Sequence, residues 1–200
     1  MPTPEWLAEQ FEQQAKEARE IIAPSFVSPA YVAPPWFLTD LRQRFADVVP
    51  AHSAARIYVS RGDAPGRRVK NEEAMTHLLA SFNFTTVQLE RLSFIEQVAL
   101  FRGAEIVVAP HGAGLSLLAF ARKGAAVVEL FAPSYVNPMY WCLADELSLR
   151  YRCCAGRDSA RGARHDLVRD DLTVDLEALG STVESLLAVR PVEAREQTAS

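Results

Sequence analysis

The chain has 200 residues, of which 49% are hydrophobic and 23% are charged, and this balance is typical of a globular domain with a core of its own. Its formal charge of -4 at pH 7 argues against a protein that holds nucleic acid mainly by neutralising phosphates, because such proteins present a basic face. The 3 cysteines form no CxxC pair, and no His or Cys spacing matches a zinc site, so we expect reduced thiols and no bound metal.

Residues 1–50 are predicted to precede the main domain. Apolar side chains recur at helical spacing over residues 5–22, which indicates an amphipathic helix. The proline-rich run APSFVSPAYVAPP predicts an extended linker, and a short helix is predicted over residues 36–48. Because the N-terminus has neither the apolar core of a signal peptide nor a long apolar run, we expect a cytoplasmic chain without a membrane span.

Residues 51–190 alternate strand-like and helix-like runs, which is typical of an α/β domain. Strands are predicted over residues 56–60, 85–89, 105–109, 125–131 and 150–153. Helices are predicted over residues 71–82, 93–102, 111–121, 138–147 and 176–189. Because strands that alternate with helices build βαβ units, we predict a Rossmann-like parallel sheet with helices on both faces. The charged run 156–171 is predicted to be a solvated loop, and residues 191–200 a frayed tail.

Two sequence features predict an anion site at one edge of this sheet, since ligands bind beyond the carboxyl ends of parallel strands. Arg61, Arg67 and Arg68 follow the first strand, where guanidinium groups can form paired bonds to a diphosphate. The run PHGAGL follows the third strand, where glycines let the backbone approach an anion and the next helix offers N–H groups. The alternatives are solvated arginines and a tight turn that binds nothing.

His111 and Glu129 are further candidates at the same edge. His111 precedes the glycines and could bind a phosphate, act as an acid or base, or cap the helix; we favour ligand contact and keep it as a catalytic candidate. Glu129 ends an apolar strand, and a carboxylate buried there needs donors, which ribose hydroxyls or a backbone turn could equally supply. The missing third glycine of GxGxxG argues against a nicotinamide dehydrogenase.

Three collinear motifs point to one family: IYVSRGDAPGRRVKNEEA, LSFIEQVALFRGAEIVVAPHGAGLSLLAF and GAAVVELF. Together they resemble the core of glycosyltransferase family 61, formerly described as a domain of unknown function. The resemblance implies a GT-B architecture, of which this chain would be the C-terminal, donor-binding half. It also implies inverting, metal-independent transfer from a nucleotide sugar.

The resemblance also implies roles for individual residues. Arg61 would hold the diphosphate, Asn71 and Glu72 would order its loop, and Glu129 would meet the nucleoside. The complete set of implied donor-binding residues is Arg61, Arg68, Asn71, Glu72, His111, Gly112, Ala113, Gly114, Leu115 and Glu129.

The function implied is transfer of a sugar from a nucleotide donor, UDP-linked or similar, to a hydroxyl acceptor, in the synthesis of a surface glycan. No cofactor other than this substrate is expected. Longer family members carry an N-terminal half that binds the acceptor. The alternative is therefore a truncated or split donor-binding module, which binds nucleotide without turnover and completes its site with a partner chain.

Overall fold

The computed structural model describes residues 33–51, 54–62, 66–157 and 170–189. The helix predicted over residues 5–22 and the predicted frayed tail lie outside the described residues. So do most of the proline-rich linker and most of the predicted loop over residues 156–171.

The described residues form one sheet of five parallel strands in the order β2-β1-β3-β4-β5. The strands are β1 (Arg56–Val59), β2 (Thr85–Val87), β3 (Ile106–Pro110), β4 (Ala126–Phe131) and β5 (Arg150–Ala155). Strands β3 and β4 are buried at every position, as strands covered on both faces must be. The strand order reverses direction between β1 and β3, so a crevice opens there at the carboxyl edge of the sheet.

Helices cover both faces of the sheet, which confirms the predicted α/β class. Within the described ranges they are α1 (Pro35–Arg44), α2 (Glu72–Ser81), α3 (Phe94–Gly103), α4 (Met139–Glu146) and α5 (Leu176–Ala188). Neighbouring strand residues alternate between two cores: Ile57 packs with α1, α3 and α4, whereas Tyr58 packs with α2 and α5. The result is a Rossmann-like sheet between two helical layers.

The helix predicted after the HGAG turn is present, and it is a 3-10 helix over Ala113–Phe120. Its segment AGLSLLAF is mostly buried, including a continuous run over residues 117–120, so it has no polar face to present to water. Packing against the sheet and its neighbours, rather than amphipathic periodicity, therefore sets its winding.

The other element boundaries differ from the prediction by a few residues. Strand β2 is shorter than predicted because Leu89–Arg91 turns into a short 3-10 helix. Strand β5 is longer, because its pairing with β4 continues to the partners Phe131 and Ala155. Helix α1 ends at Arg44 rather than at residue 48.

Helix α3 begins with a capping box that gives a direct stability prediction. The Ser93 hydroxyl accepts a hydrogen bond from the Glu96 N–H (3.3 Å), and the Glu96 carboxylate accepts one from the Ser93 N–H (2.7 Å). We expect Ser93→Ala to lower the free energy of unfolding by about 1 kcal/mol in urea denaturation, because one helix-end donor loses its partner. The control is Ser185→Ala in α5, whose hydroxyl donates only to the Thr182 carbonyl. Equal losses in the two variants would contradict the capping role.

Candidate functional site

The crevice between β1 and β3 brings together two of the residues predicted from the sequence. Arg61 follows β1 and Gly112 follows β3. The Arg61 guanidinium lies against Gly112 so closely that a Cβ atom at this glycine would overlap Nη1. The backbone of Gly112 is extended, so the glycine is required by this close contact and not by an unusual conformation.

Arg61 is a half-buried cation, and among the described residues the carboxylate whose charge raises its pKa is Glu90, which lies beyond salt-bridge distance. Its Nε is buried and has no hydrogen-bond partner among the described residues. Arg61 also forms no salt bridge with any of these residues. Burial lowers the pKa of Arg61, and the positive charge of Arg67 lowers it further. Both effects disfavour the charged form, and an anion in the crevice would offset both.

The Glu72 carboxylate binds side chains at the carboxyl end of β1. This carboxylate, at the start of α2, accepts hydrogen bonds from the Tyr58 hydroxyl (2.6 Å) and the Ser60 hydroxyl (2.8 Å). The Ser60 oxygen in turn accepts one from the Gly62 N–H (3.1 Å). Burial raises the pKa of Tyr58, and the bond to Glu72 raises it further, so this tyrosine is a neutral donor. Through these bonds Glu72 fixes the backbone on both sides of Arg61.

Asn71 and Arg68 tie the same loop to the segment before α5. The Asn71 amide makes two bonds of 2.9 Å to the backbone of Val174, one to its carbonyl and one from its N–H. Arg68 is exposed and donates from its backbone N–H (2.9 Å) and from Nη2 (3.1 Å) to Asp171. The structure thus uses both residues to hold the loop, and their contact with a donor stays a prediction.

Glu129 is fully buried in β4 and has two side-chain partners. Its Oε1 lies 2.5 Å from Nδ1 of His111, and its Oε2 accepts a hydrogen bond from the Tyr151 hydroxyl at 2.6 Å. Burial raises the pKa of Tyr151, and the bond to Glu129 adds to this effect. These two side chains supply partners for both oxygens of the carboxylate. The structure therefore places Glu129 behind His111, and its direct contact with a nucleoside stays a prediction.

Tyr151 was missed by the sequence reasoning. A signal for it exists in the register of the parallel strands, since Tyr151 pairs with Val127, two residues before Glu129 on the neighbouring strand. Residues two apart on a strand share a face, so a tyrosine there can reach the carboxylate. That register is visible only once β4 and β5 are known to pair.

Aromatic rings enclose His111, which is only 4% exposed. Its ring is stacked on Phe131 and also contacts Tyr135 and Tyr140, each with 5.3 Å between ring centroids. Glu129 binds Nδ1, so Nε2, on the other side of the ring, points away from the carboxylate. His111 is thus a ring held in one orientation with one nitrogen left for a ligand.

Arg67 is a second cation, and it lies near the aromatic rings around His111. Its guanidinium lies over the Tyr135 ring, 6.0 Å from the centroid, and its backbone is left-handed with φ of 58°. Its charge also acts on Arg61, as the lowered pKa of that residue indicates. The arginines predicted from one loop therefore separate: Arg61 and Arg67 lie near the crevice, and Arg68 faces Asp171.

The residues of the HGAGL run after β3, which were predicted to meet an anion, lie in different surroundings. Gly112 meets Arg61, and Ala113 is exposed. A Cβ at Gly114 would lie 2.8 Å from Leu89 Cδ1, so this glycine serves packing. Leu115 is 1% exposed and belongs to the apolar core. The Leu115 side chain therefore packs in the core, and contact of this residue with a donor stays a prediction.

No group of three or more His, Cys, Asp or Glu side chains in the described ranges could hold a metal ion. None of the helices in the described part of the chain is long and apolar enough to cross a bilayer.

Comparison with known proteins gives consistent matches. The model of the family described as Glycosyltransferase 61 matches residues 6–128. The chain is 33% identical over 112 residues to the EGF domain-specific O-linked N-acetylglucosamine transferase of Drosophila melanogaster, a match that covers 54% of this chain and 21% of that protein. It is 40% identical over 78 residues to the Protein O-linked-mannose beta-1,4-N-acetylglucosaminyltransferase 2 of Bos taurus, covering 38% of this chain and 13% of that protein. The matched part is thus a small share of each relative's length.

Proposed function

The chain belongs to glycosyltransferase family 61, whose model matches more than half of it, and from this premise we propose that the described α/β unit binds the nucleotide-sugar donor in a sugar transfer. The observation that carries the proposal is the half-buried Arg61 guanidinium, which lies against Gly112 where the strand order reverses and whose buried Nε has no hydrogen-bond partner among the described residues. A diphosphate suits this site because its oxygens can accept paired hydrogen bonds from the planar guanidinium of Arg61, and because Gly112 has no side chain to keep it away from the backbone. The unit would form the C-terminal half of a GT-B enzyme.

The donor we propose is UDP-linked. The Drosophila and Bos taurus relatives are both named as transferases of N-acetylglucosamine, which makes UDP-N-acetylglucosamine the first donor to test. The acceptor we propose is a hydroxyl group of a growing surface glycan, modified in the cytoplasm.

The proposed reaction is an inverting displacement that needs no metal. The acceptor oxygen forms a bond to the anomeric carbon from the face opposite the diphosphate, the bond from that carbon to the diphosphate oxygen breaks, and a base takes the acceptor proton. Arg61 would stabilise the charge that develops on the leaving diphosphate, with the charge of Arg67 nearby. This is the work that a metal ion does in other transferases.

We assign His111 to contact with the donor through Nε2. Glu129 binds Nδ1 and the aromatic rings hold the plane of the imidazole, so Nε2 is the nitrogen left to meet a phosphate or a sugar hydroxyl. Glu129 acts here as a positioning residue, because its buried carboxylate reaches the ligand only through the histidine.

Calorimetric titration of the protein with UDP, UDP-N-acetylglucosamine and ADP in EDTA tests the proposal. We expect UDP and its sugar to bind without added metal. At a concentration 100 times the dissociation constant, UDP should stabilise the fold by about 2.7 kcal/mol. Absence of binding by every nucleoside diphosphate to folded protein would refute donor binding. Binding that requires Mn²⁺ would refute the metal-independent mechanism alone.

A donor-binding module without turnover is the second candidate, because the described residues form one sheet and GT-B transfer takes place between two α/β units. Such a module would complete its site with a partner chain. Incubation with nucleotide sugars and glycan acceptors separates the two candidates, since an enzyme yields a product of increased mass. For this chain alone we expect donor binding and at most slow donor hydrolysis, because positioning of the acceptor supplies several kcal/mol of catalysis.

Gly112→Ala should weaken donor binding while the fold survives. The added methyl group would displace the Arg61 guanidinium, which is the flexible end of a side chain, so the fold can adjust but the anion site cannot. We expect UDP affinity to fall by about tenfold or more, as for loss of a charge-assisted bond, with an unchanged circular dichroism spectrum.

Gly124→Ala is the matched control for this substitution. Gly124 has φ of 77° and no neighbouring atom within 4 Å of an added Cβ. Alanine there should cost about 1–2 kcal/mol of stability through backbone strain and leave UDP affinity unchanged. Wild-type UDP affinity in Gly112→Ala would show that the contact with Arg61 plays no part in binding.

A further inference from the structure

A cavity of about 410 Å³ opens at the edge of the sheet opposite the crevice. Arg102 lies in the last turn of α3, shortly before β3 begins, and Arg122 lies shortly before β4 begins. The cavity is therefore at the amino ends of these two strands. Strands of five and six residues separate it from the crevice, a distance of roughly 15–20 Å. It therefore shares no residue with the proposed donor site.

Three arginines from separate parts of the chain line this cavity: Arg42 from α1, Arg102 from α3, and Arg122 from the turn before β4. Arg42 donates to the Ala121 carbonyl, and Arg102 donates from Nη1 to the Phe45 carbonyl at 2.5 Å. Each guanidinium carries five N–H donors, so these contacts use only part of each group. Carbonyl binding by itself does not explain why the cations converge.

The charge of this arginine cluster is not balanced within the described residues. No acidic side chain lines the cavity, and Glu105 reaches its rim only through a 2.8 Å ion pair with Arg122. Burial lowers the pKa of Arg42 and the neighbouring Arg102 lowers it further, with no carboxylate opposing them. Adjacent, partly desolvated cations are unfavourable without a counter-ion. The chain as a whole is acidic, with a formal charge of -4, so a general basic surface does not account for the cluster.

We propose that this cavity is a second anion site, which binds a small multivalent oxyanion with phosphate or carboxylate groups against Arg42, Arg102 and Arg122. Its volume is in the range of small-ligand sites, which is about 300–1,000 Å³. Phe120 and Pro50 supply apolar wall, so the carbon frame of a phosphorylated or carboxylated metabolite can pack there. Guanidinium groups bind both oxyanions through paired hydrogen bonds.

Calorimetric titration with pyrophosphate in an Arg61→Gln background tests this site separately from the donor site. We expect Arg61→Gln protein to retain pyrophosphate binding, and the added change Arg102→Gln to weaken it about tenfold or more. The matched control is Arg44→Gln, which removes an arginine from α1 that pairs with Asp40 outside the cavity. Equal pyrophosphate affinity with Arg102→Gln and with Arg44→Gln would overturn the proposal. Loss of UDP binding alone would count only against the donor site.

Glu105→Gln provides an independent test at an exposed position. It removes the carboxylate that competes for Arg122, so pyrophosphate affinity should rise about two- to fivefold, while UDP affinity in the wild-type background stays the same. Unchanged or weaker pyrophosphate binding would overturn the site. A parallel titration with citrate distinguishes the sources of the oxyanion: tighter binding of citrate than of pyrophosphate indicates a carboxylate ligand, and tighter binding of pyrophosphate indicates a phosphate ligand.

Discussion

Glu129→Ala is expected to lower the free energy of unfolding by about 3–5 kcal/mol in urea denaturation followed by circular dichroism. The substitution removes the common acceptor of His111 Nδ1 and the Tyr151 hydroxyl, and it leaves the buried His111 without this partner. It also leaves a cavity in a strand that is buried at every position. A loss of this size is a large part of the total stability of an ordinary domain.

Two milder substitutions separate the contributions of the individual contacts to this loss of stability. Tyr151→Phe removes one donor and leaves the bond between His111 and Glu129, so we expect a loss of about 1 kcal/mol. Glu129→Gln keeps the volume and one acceptor oxygen, and its loss should lie between the other two. If Glu129→Ala costs no more than Tyr151→Phe, the carboxylate does not hold the histidine as the structure indicates.

Arg61→Gln is expected to weaken UDP binding by about 1.5–3 kcal/mol, or roughly 10- to 150-fold, in calorimetric titration. The change removes the half-buried charge in the crevice and most of the donors that a diphosphate would use. Arg61→Lys should recover only part of the affinity, because an ammonium group is a point charge and cannot form the paired bonds of a planar guanidinium. Unchanged UDP affinity in Arg61→Gln would remove Arg61 from the site.

Arg68→Gln is the matched control for this substitution. It removes the same charge from the same loop, but in the structure that charge pairs with Asp171. We expect UDP affinity to change by less than about threefold, the scale of an exposed ion pair. A loss as large as that of Arg61→Gln would show that Arg68 also binds the donor, as the sequence resemblance implies.

Local periodicity in the sequence determined the α/β class of this protein and the approximate position of each described strand and helix. Strand-like runs such as residues 56–60 and helical runs such as 93–102 are encoded by neighbouring residues, and the capping signal at Ser93 is likewise local. The boundaries moved by a few residues where pairing between strands or a short turn decided them. The parallel direction of the strands followed from the helices between them.

The contacts of the candidate site were decided by tertiary structure alone. The strand order that opens the crevice, the contact of Arg61 with Gly112, and the two partners of Glu129 all join residues from different strands or loops. The 3-10 winding that buries Leu115 depends on the sheet beneath it, and the convergence of Arg42 with Arg102 depends on two helices packed on one face. Periodicity reports which face of an element is apolar. It does not report which residue of another element lies opposite, because that depends on how the buried faces fit together in three dimensions.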